Sequence, residues 1–179
     1  MEPDRYLIAT AQISLAMAGF AGVVAAYRNQ SENGWGEVER FWLRLLLLNS
    51  ILPFTFSLVG IFILAADILP AAEWRWSSGI AAVCLVPFGV MIVRNLRALA
   101  PGALQAAGSG SLVSRGLFSI LVIIWLLQLW NAAAASAFWP FFAAILALLL
   151  GAIFQFARLV LTSHRPKADN GPNVIVEEG

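Results

Sequence analysis

The feature that most constrains the fold of this chain is a stretch without any charged residue, which runs from Gly116 to Ala157. It contains 42 residues. At about 1.5 Å rise per residue, a single helix of that length would extend ~63 Å, whereas the hydrocarbon core of a bilayer is only ~30 Å thick. The stretch therefore predicts two membrane-spanning helices joined by a tight turn.

The composition of the chain also indicates a membrane protein. Hydrophobic residues make up 60% of the sequence and charged residues 12%, whereas soluble domains contain about 25% charged residues. Three further apolar segments precede the long stretch, so we predict an all-α integral membrane protein with a bundle of five transmembrane helices. The predicted spans are residues 6–27, 41–66, 76–93, 117–135 and 140–162. They form one domain, and the polar tail 163–179 is predicted to be disordered.

The arginine and lysine residues predict the orientation of these spans. With an odd number of spans, the two termini lie on opposite sides of the membrane. The N-terminal side carries Arg5 and Arg75, and the other side carries Arg28, Arg40, Arg44, Arg94, Arg97, Arg115, Arg158, Arg165 and Lys167. Because positively charged loops stay in the cytoplasm, we predict that the N-terminus is outside and the C-terminus is cytoplasmic. The pattern is typical of a bacterial inner (plasma) membrane protein.

Small residues recur every four positions in the first and the last span. The two stripes are Ser14, Ala18, Gly22 and Ala26, and then Ala143, Ala147 and Gly151. Helices in lipid associate through close packing of small residues. We therefore expect these two spans to be central packing helices, either within one chain or at an interface with another subunit.

The second span carries polar and small residues around a proline. They are Ser50, Pro53, Ser57 and Gly60 on one face, with Asn49 to the side. Hydroxyl groups can satisfy the carbonyl groups that a proline leaves free inside a helix. The alternative is that this face lines a water-filled path or gate.

Four arginines fall near the predicted cytoplasmic ends of the spans: Arg40, Arg44, Arg94 and Arg158. In one interpretation, Arg44 extends toward lipid phosphates while Glu37 pairs with Arg40. In the other, the four arginines form a basic ring at the inner mouth of a pore, an arrangement that favours anions.

Five amide side chains also fall within the spans: Gln12, Asn49, Gln128, Asn131 and Gln155. Polar groups inside lipid need hydrogen-bond partners. These amides are expected either to bond between helices or to form a polar lining for a quinone, a solute or an ion.

Several kinds of chemistry are not expected from this sequence. The one histidine, His164, lies in the tail, and no Asp or Glu lies in the interior of a span. A buried haem needs axial ligands inside the membrane, and proton-coupled carriers use intramembrane carboxylates or histidines. We predict no catalytic, cofactor-binding or metal site, and no enzyme activity.

Two functional hypotheses follow from these features. The first is an oligomeric channel, or a permeation protein for small solutes or ions. The alternative is a non-catalytic accessory subunit of a larger membrane complex, or a lipid-binding membrane protein. The expected partners are the lipid bilayer and either further copies of the chain or another membrane protein, and nucleic acid is not expected.

The orientation is tested by cysteine accessibility in intact cells. After Cys84 is replaced, a single cysteine at Glu73 should react with a membrane-impermeant thiol reagent, because this position is predicted to be outside. A single cysteine at Ser163 should react only after the cells are opened. Labelling at Ser163 in intact cells would overturn the predicted orientation.

Overall fold

A computed structural model of the protein describes residues 2–29, 37–66, 72–98 and 111–162. These residues form five α-helices and no strand. The helices are α1 (Pro3–Asn29), α2 (Glu37–Ala66), α3 (Glu73–Ala98), α4 (Ser111–Trp130) and α5 (Phe138–Thr162), and a π-helical turn over Asn131–Ala135 continues α4. Each contributes a segment long and apolar enough to span a membrane. The predicted all-α fold with five membrane-length helices is therefore confirmed.

The helices extend beyond the predicted apolar spans at several ends. The third span was predicted over 76–93, but α3 has 26 residues. The prediction stopped at charged residues such as Arg94, and a helix can continue past such residues into the polar region beside the membrane core. The predicted tail 163–179 lies outside the described residues.

The outer surface of the bundle is apolar, as lipid contact requires. Several large side chains are more than half exposed, among them Phe62, Val83, Ile123 and Leu150. A soluble protein rarely exposes so much contiguous apolar surface. The described helices therefore favour a multi-pass membrane protein, because lipid would cover this surface.

Helices α2 and α5 occupy the centre of the bundle. Helix α5 contacts all four other helices, and α2 contacts α1, α3 and α5. Phe56 of α2 and Phe141 of α5 are both buried, with ring centroids 6.4 Å apart. Helix α1 packs mainly on α2. Of the two spans expected to be central, the last one (α5) is central in the described bundle, whereas α2 takes the place expected for the first.

The turn between α4 and α5 is closed by the side chain of Asn131. Its Oδ1 accepts a hydrogen bond from the backbone N–H of Ala137 at 2.9 Å, and its Nδ2 donates to the carbonyl oxygen of the same residue at 2.9 Å. Between them, Ser136 adopts a left-handed conformation with φ 47°, and its N–H donates to the Asn131 carbonyl at 3.1 Å. The chain thus reverses direction while these backbone groups remain hydrogen-bonded.

The same asparagine joins the turn to α3. Its Nδ2 also donates to Ser78 Oγ at 2.7 Å, and both side chains are fully buried. Two further bonds hold α4 in place: Gln128 Nε2 donates to the Pro140 carbonyl at 2.7 Å, and Trp125 Nε1 donates to the Ala82 carbonyl at 3.2 Å. Hydrogen bonds of this kind hold α4, the least buried helix in the bundle.

Replacing Asn131 with leucine should lower the stability of the folded protein by roughly 1–3 kcal/mol, because it leaves the Ala137 N–H and the Ser78 hydroxyl without their partner. This change is measured by unfolding the purified protein with increasing concentrations of a denaturing detergent. Asn95→Leu is the control, because Asn95 lies in the last turns of α3, away from this turn. Equal stability of the two variants would contradict the assigned role of Asn131.

Candidate binding cavity

A cavity lies between α2, α3, α4 and α5, in the half of the bundle that contains the start of α2 and the end of α5. Its volume is about 100 Å³, which is of the same order as the ~150 Å³ engineered cavity that binds benzene. Phe118 and Ile120 of α4 line it and are also about half exposed at the bundle surface. The cavity is therefore somewhat smaller than one known to hold a single ring, and it opens at the surface of the bundle beside α4.

The walls are mostly apolar, with a few polar groups. The apolar lining includes Phe41, Leu45, Phe88, Ile92 and Leu148. The polar lining consists of Trp42 and Asn49 from α2 and Gln155 from α5. A pocket with apolar walls and a few converging polar groups is the usual form of a small-molecule site.

Two of these polar groups are buried without a hydrogen-bond partner among the described residues. They are the side-chain oxygen Oε1 of Gln155, a residue only 2% exposed, and the indole Nε1 of Trp42, a residue 8% exposed. One is an acceptor and the other a donor. The cavity is thus lined by two residues that each carry a buried polar atom without a partner in the described chain, one an acceptor and the other a donor.

The position of the Trp42 ring is supported by Arg158. The guanidinium carbon of Arg158 lies 4.5 Å from the centroid of the Trp42 ring. This is a cation–π contact between α2 and α5. Arg158 follows Gln155 by three residues and so lies on the same side of α5. The contact therefore holds the indole beside the helix that carries Gln155.

Gly151 lets α2 and α5 approach each other at the level of Asn49. A Cβ atom on Gly151 would lie 3.2 Å from Asn49 Nδ2, which is closer than ordinary contact. Ala147, one turn earlier on α5, also lines the cavity. All three residues of the second stripe, Ala143, Ala147 and Gly151, are half-buried, and Gly151 faces α2.

The structure brings the predicted polar face of α2 together, but within one chain this face is packed against other helices. Ser50, Pro53, Ser57 and Gly60 are all buried. Ser57 Oγ lies 2.9 Å from Thr10 Oγ1 of α1, and Ser50 Oγ donates to the Leu46 carbonyl at 2.9 Å. A Cβ on Gly60 would lie 2.9 Å from Leu7 Cδ1. No open path runs along these residues in the described bundle.

The first small-residue stripe turns away from the rest of the chain along α1. Ser14 is fully buried, whereas Gly22 and Ala26 are exposed, and a Cβ on Gly22 would meet no atom within 4 Å. Ala18 is half-buried. Each step of four residues rotates the face by about 40°, because a helix has about 3.6 residues per turn. Three steps from Ser14 to Ala26 therefore rotate it by about 120°.

The four arginines have different surroundings. Arg40, Arg44 and Arg94 are exposed, and Arg158 is half-buried against Trp42. Arg94 lines a separate groove between α3 and α4.

The five amides also divide into groups. Gln12 is exposed, Asn49 and Gln155 line the cavity, and Asn131 and Gln128 hold the turn between α4 and α5. The Oε1 atom of Gln128 is also buried without a partner in the described chain, but Gln128 lines neither the cavity nor the groove.

Trp42 was not identified from the sequence as a member of a site, because an aromatic residue near a span end is usually an interfacial anchor. Its spacing of seven residues from Asn49 places both on one face of α2, and this spacing was the available signal.

Among the described residues, no group of three or more His, Cys, Asp or Glu side chains is placed to hold a metal ion. Comparison with known protein families, curated proteins and solved structures found no match for this chain.

Proposed function

We propose that this chain is a non-catalytic membrane protein that binds a lipid-soluble molecule carrying a hydroxyl group in the cavity between α2, α3, α4 and α5. The observation that supports this proposal is the pair of buried, unpartnered polar atoms, Gln155 Oε1 and Trp42 Nε1. This proposal develops the alternative hypothesis from the sequence, in which the chain is a lipid-binding membrane protein and not a channel.

The chemistry of the two atoms selects the hydroxyl group. A buried polar atom without a hydrogen bond costs about 1–3 kcal/mol. A hydroxyl group donates one hydrogen bond and accepts others, so it combines the donor that Gln155 Oε1 lacks with the acceptor that Trp42 Nε1 lacks. A carbonyl group or an ether would leave the Gln155 oxygen unpartnered. The neighbouring charge of Arg158 disfavours a cationic ligand.

The remainder of the ligand is expected to be apolar. The walls around the polar groups are aromatic and aliphatic, and the cavity opens toward lipid beside Phe118. A phenol or a quinol ring with an alkyl tail has this form: the ring enters the cavity and the tail remains among the lipids. With the N-terminus outside a bacterial inner membrane, as the arginine distribution predicts, the cavity lies in the cytoplasmic half of the bilayer.

Binding is tested with a matched pair of probes, 4-nonylphenol and nonylbenzene, which differ only in the hydroxyl group. In purified protein, the phenol should raise the midpoint of thermal unfolding, because a ligand that binds only the folded state stabilises it. Nonylbenzene should give a much smaller shift. The substitution Gln155→Leu should abolish the difference between the two probes, and Trp42→Phe should reduce it.

The variants also separate binding from folding. Without a probe, Gln155→Leu should be at least as stable as the original protein, because it removes a buried acceptor that has no partner. Gln12→Leu is the matched control, since Gln12 is exposed on α1 and should leave the response to the phenol unchanged. Equal shifts with both probes, or a full phenol response in Gln155→Leu, would contradict the proposal.

A second candidate function is assembly into a homo-oligomer, as a channel or as a subunit of a larger complex. The observation that favours it is Gly22, which faces open space together with the exposed Ala26 on the outer side of α1. Small residues on a lipid-facing surface allow close approach of another helix. The channel hypothesis depends on this assembly, since the polar face of α2 is packed within the single chain.

Mass measurement in mild detergent tests assembly. Gly22→Leu should convert an oligomer into a smaller species, because the larger side chain separates the helices that met at the glycine. Gly79→Leu is the control, since a Cβ at Gly79 also meets no atom within 4 Å. A single monomeric mass for the unmodified protein, with no ion flux after reconstitution into liposomes, would exclude the channel.

A further inference from the structure

A second concave surface lies on the outside of the bundle, in a groove between α3 and α4. We infer that this groove binds an anionic phospholipid, with one acyl chain along the groove and the phosphate at Arg94 and Arg97. The groove has a volume of about 390 Å³, within the ~300–1,000 Å³ range of small-molecule sites. Leu85, Val86, Val90 and Val122 are among its lining residues.

The length of the groove fits one leaflet of a bilayer. Its lining on α3 runs from Leu85 to Arg97, which is about 18 Å along a helix. Half of a ~30 Å hydrocarbon core is ~15 Å. An acyl chain that follows the groove from its apolar end would therefore bring its headgroup to the level of the two arginines.

Gly89 keeps the middle of the groove open. A Cβ atom on this residue would meet only the Cδ2 atom of Leu121, at 3.9 Å. The groove can therefore accept a chain of methylene groups in contact with the backbone of α3. A free phosphate ion would gain nothing from these walls, so the apolar length of the groove favours a lipid.

The charged end of the groove is suited to a phosphate group. Arg94 and Arg97 are both exposed, and their spacing of three residues places them on one side of the end of α3. Neither forms an ion pair with a carboxylate in the part of the chain that the structure describes. Guanidinium groups bind phosphate oxygens in pairs of hydrogen bonds, and basic sites between membrane helices bind anionic headgroups.

The site is distinct from the cavity proposed above. Phe118 and Leu121 line both the cavity and the groove, so they form the wall that separates them. The polar groups differ: the groove has two cations and no unpartnered amide, whereas the cavity has Gln155 and Trp42. If one site does not bind its ligand, the other site is still tested by its own experiment.

The test is lipid selection by the full-length purified protein. Native mass spectrometry is performed in mixtures of phosphatidylglycerol and phosphatidylcholine with identical acyl chains. The unmodified protein should retain phosphatidylglycerol in preference to phosphatidylcholine. Each of the substitutions Arg94→Gln and Arg97→Gln should reduce this preference about fivefold. Arg75→Gln, at the opposite end of the same helix, should leave it unchanged.

The groove itself is tested by filling it. Gly89→Leu should reduce retention of both lipids at this site, whereas Gly79→Leu on the same helix should not. Equal retention of the two lipids by the unmodified protein would overturn the inference. An Arg75→Gln variant that lost the preference for phosphatidylglycerol as much as the Arg94 and Arg97 variants would also overturn it. If inorganic phosphate displaced the lipid at a concentration equal to that of the lipid, the site would be a phosphate site and the inference would also be wrong. If Gly89→Leu does not fold, the arginine variants decide the outcome.

Discussion

The fold depends on the turn between α4 and α5, where the backbone N–H and carbonyl groups must stay hydrogen-bonded although the residues around them are apolar. Asn131 meets this need, because its side chain bonds both the N–H and the carbonyl group of Ala137 and also reaches Ser78 on α3. The turn places α5 at the centre of the bundle, where it contacts every other helix. The location of Gln155 beside α2 follows from this arrangement.

Asn131 and the pair Gln155 and Trp42 lie at opposite ends of the bundle and differ in their hydrogen bonds. Gln128, near the turn, also has an Oε1 atom without a partner in the described chain. At the end that contains the α4–α5 turn, Asn131 forms hydrogen bonds within the chain through both its oxygen and its nitrogen. At the other end, Gln155 and Trp42 line the cavity, and their Oε1 and Nε1 atoms are buried without partners in the described chain. In lipid, where water does not supply hydrogen bonds, the first arrangement stabilises the fold and the second favours a ligand.

The sequence predicted the number of helices and the presence of a reversal within the last uncharged stretch, because both depend on the length of uncharged segments relative to the thickness of a bilayer. It also predicted that Ser50, Pro53, Ser57 and Gly60 share one face, since helix periodicity fixes that. It did not predict what this face contacts. Thr10 is 47 residues from Ser57, and Ser78 is 53 from Asn131, and periodicity within one helix carries no information about such pairs. The cavity was missed for the same reason, because its polar atoms come from two helices.

The central claim is that a hydroxyl-bearing molecule satisfies Gln155 and Trp42 together. An experimental structure of the protein in a lipid nanodisc, at a resolution that shows side chains, tests it most directly. The account predicts elongated density that enters the cavity beside Phe118 and ends within hydrogen-bond distance of Gln155 Oε1 and Trp42 Nε1. A cavity that is filled by rearranged side chains, or by ordered water alone, would contradict it.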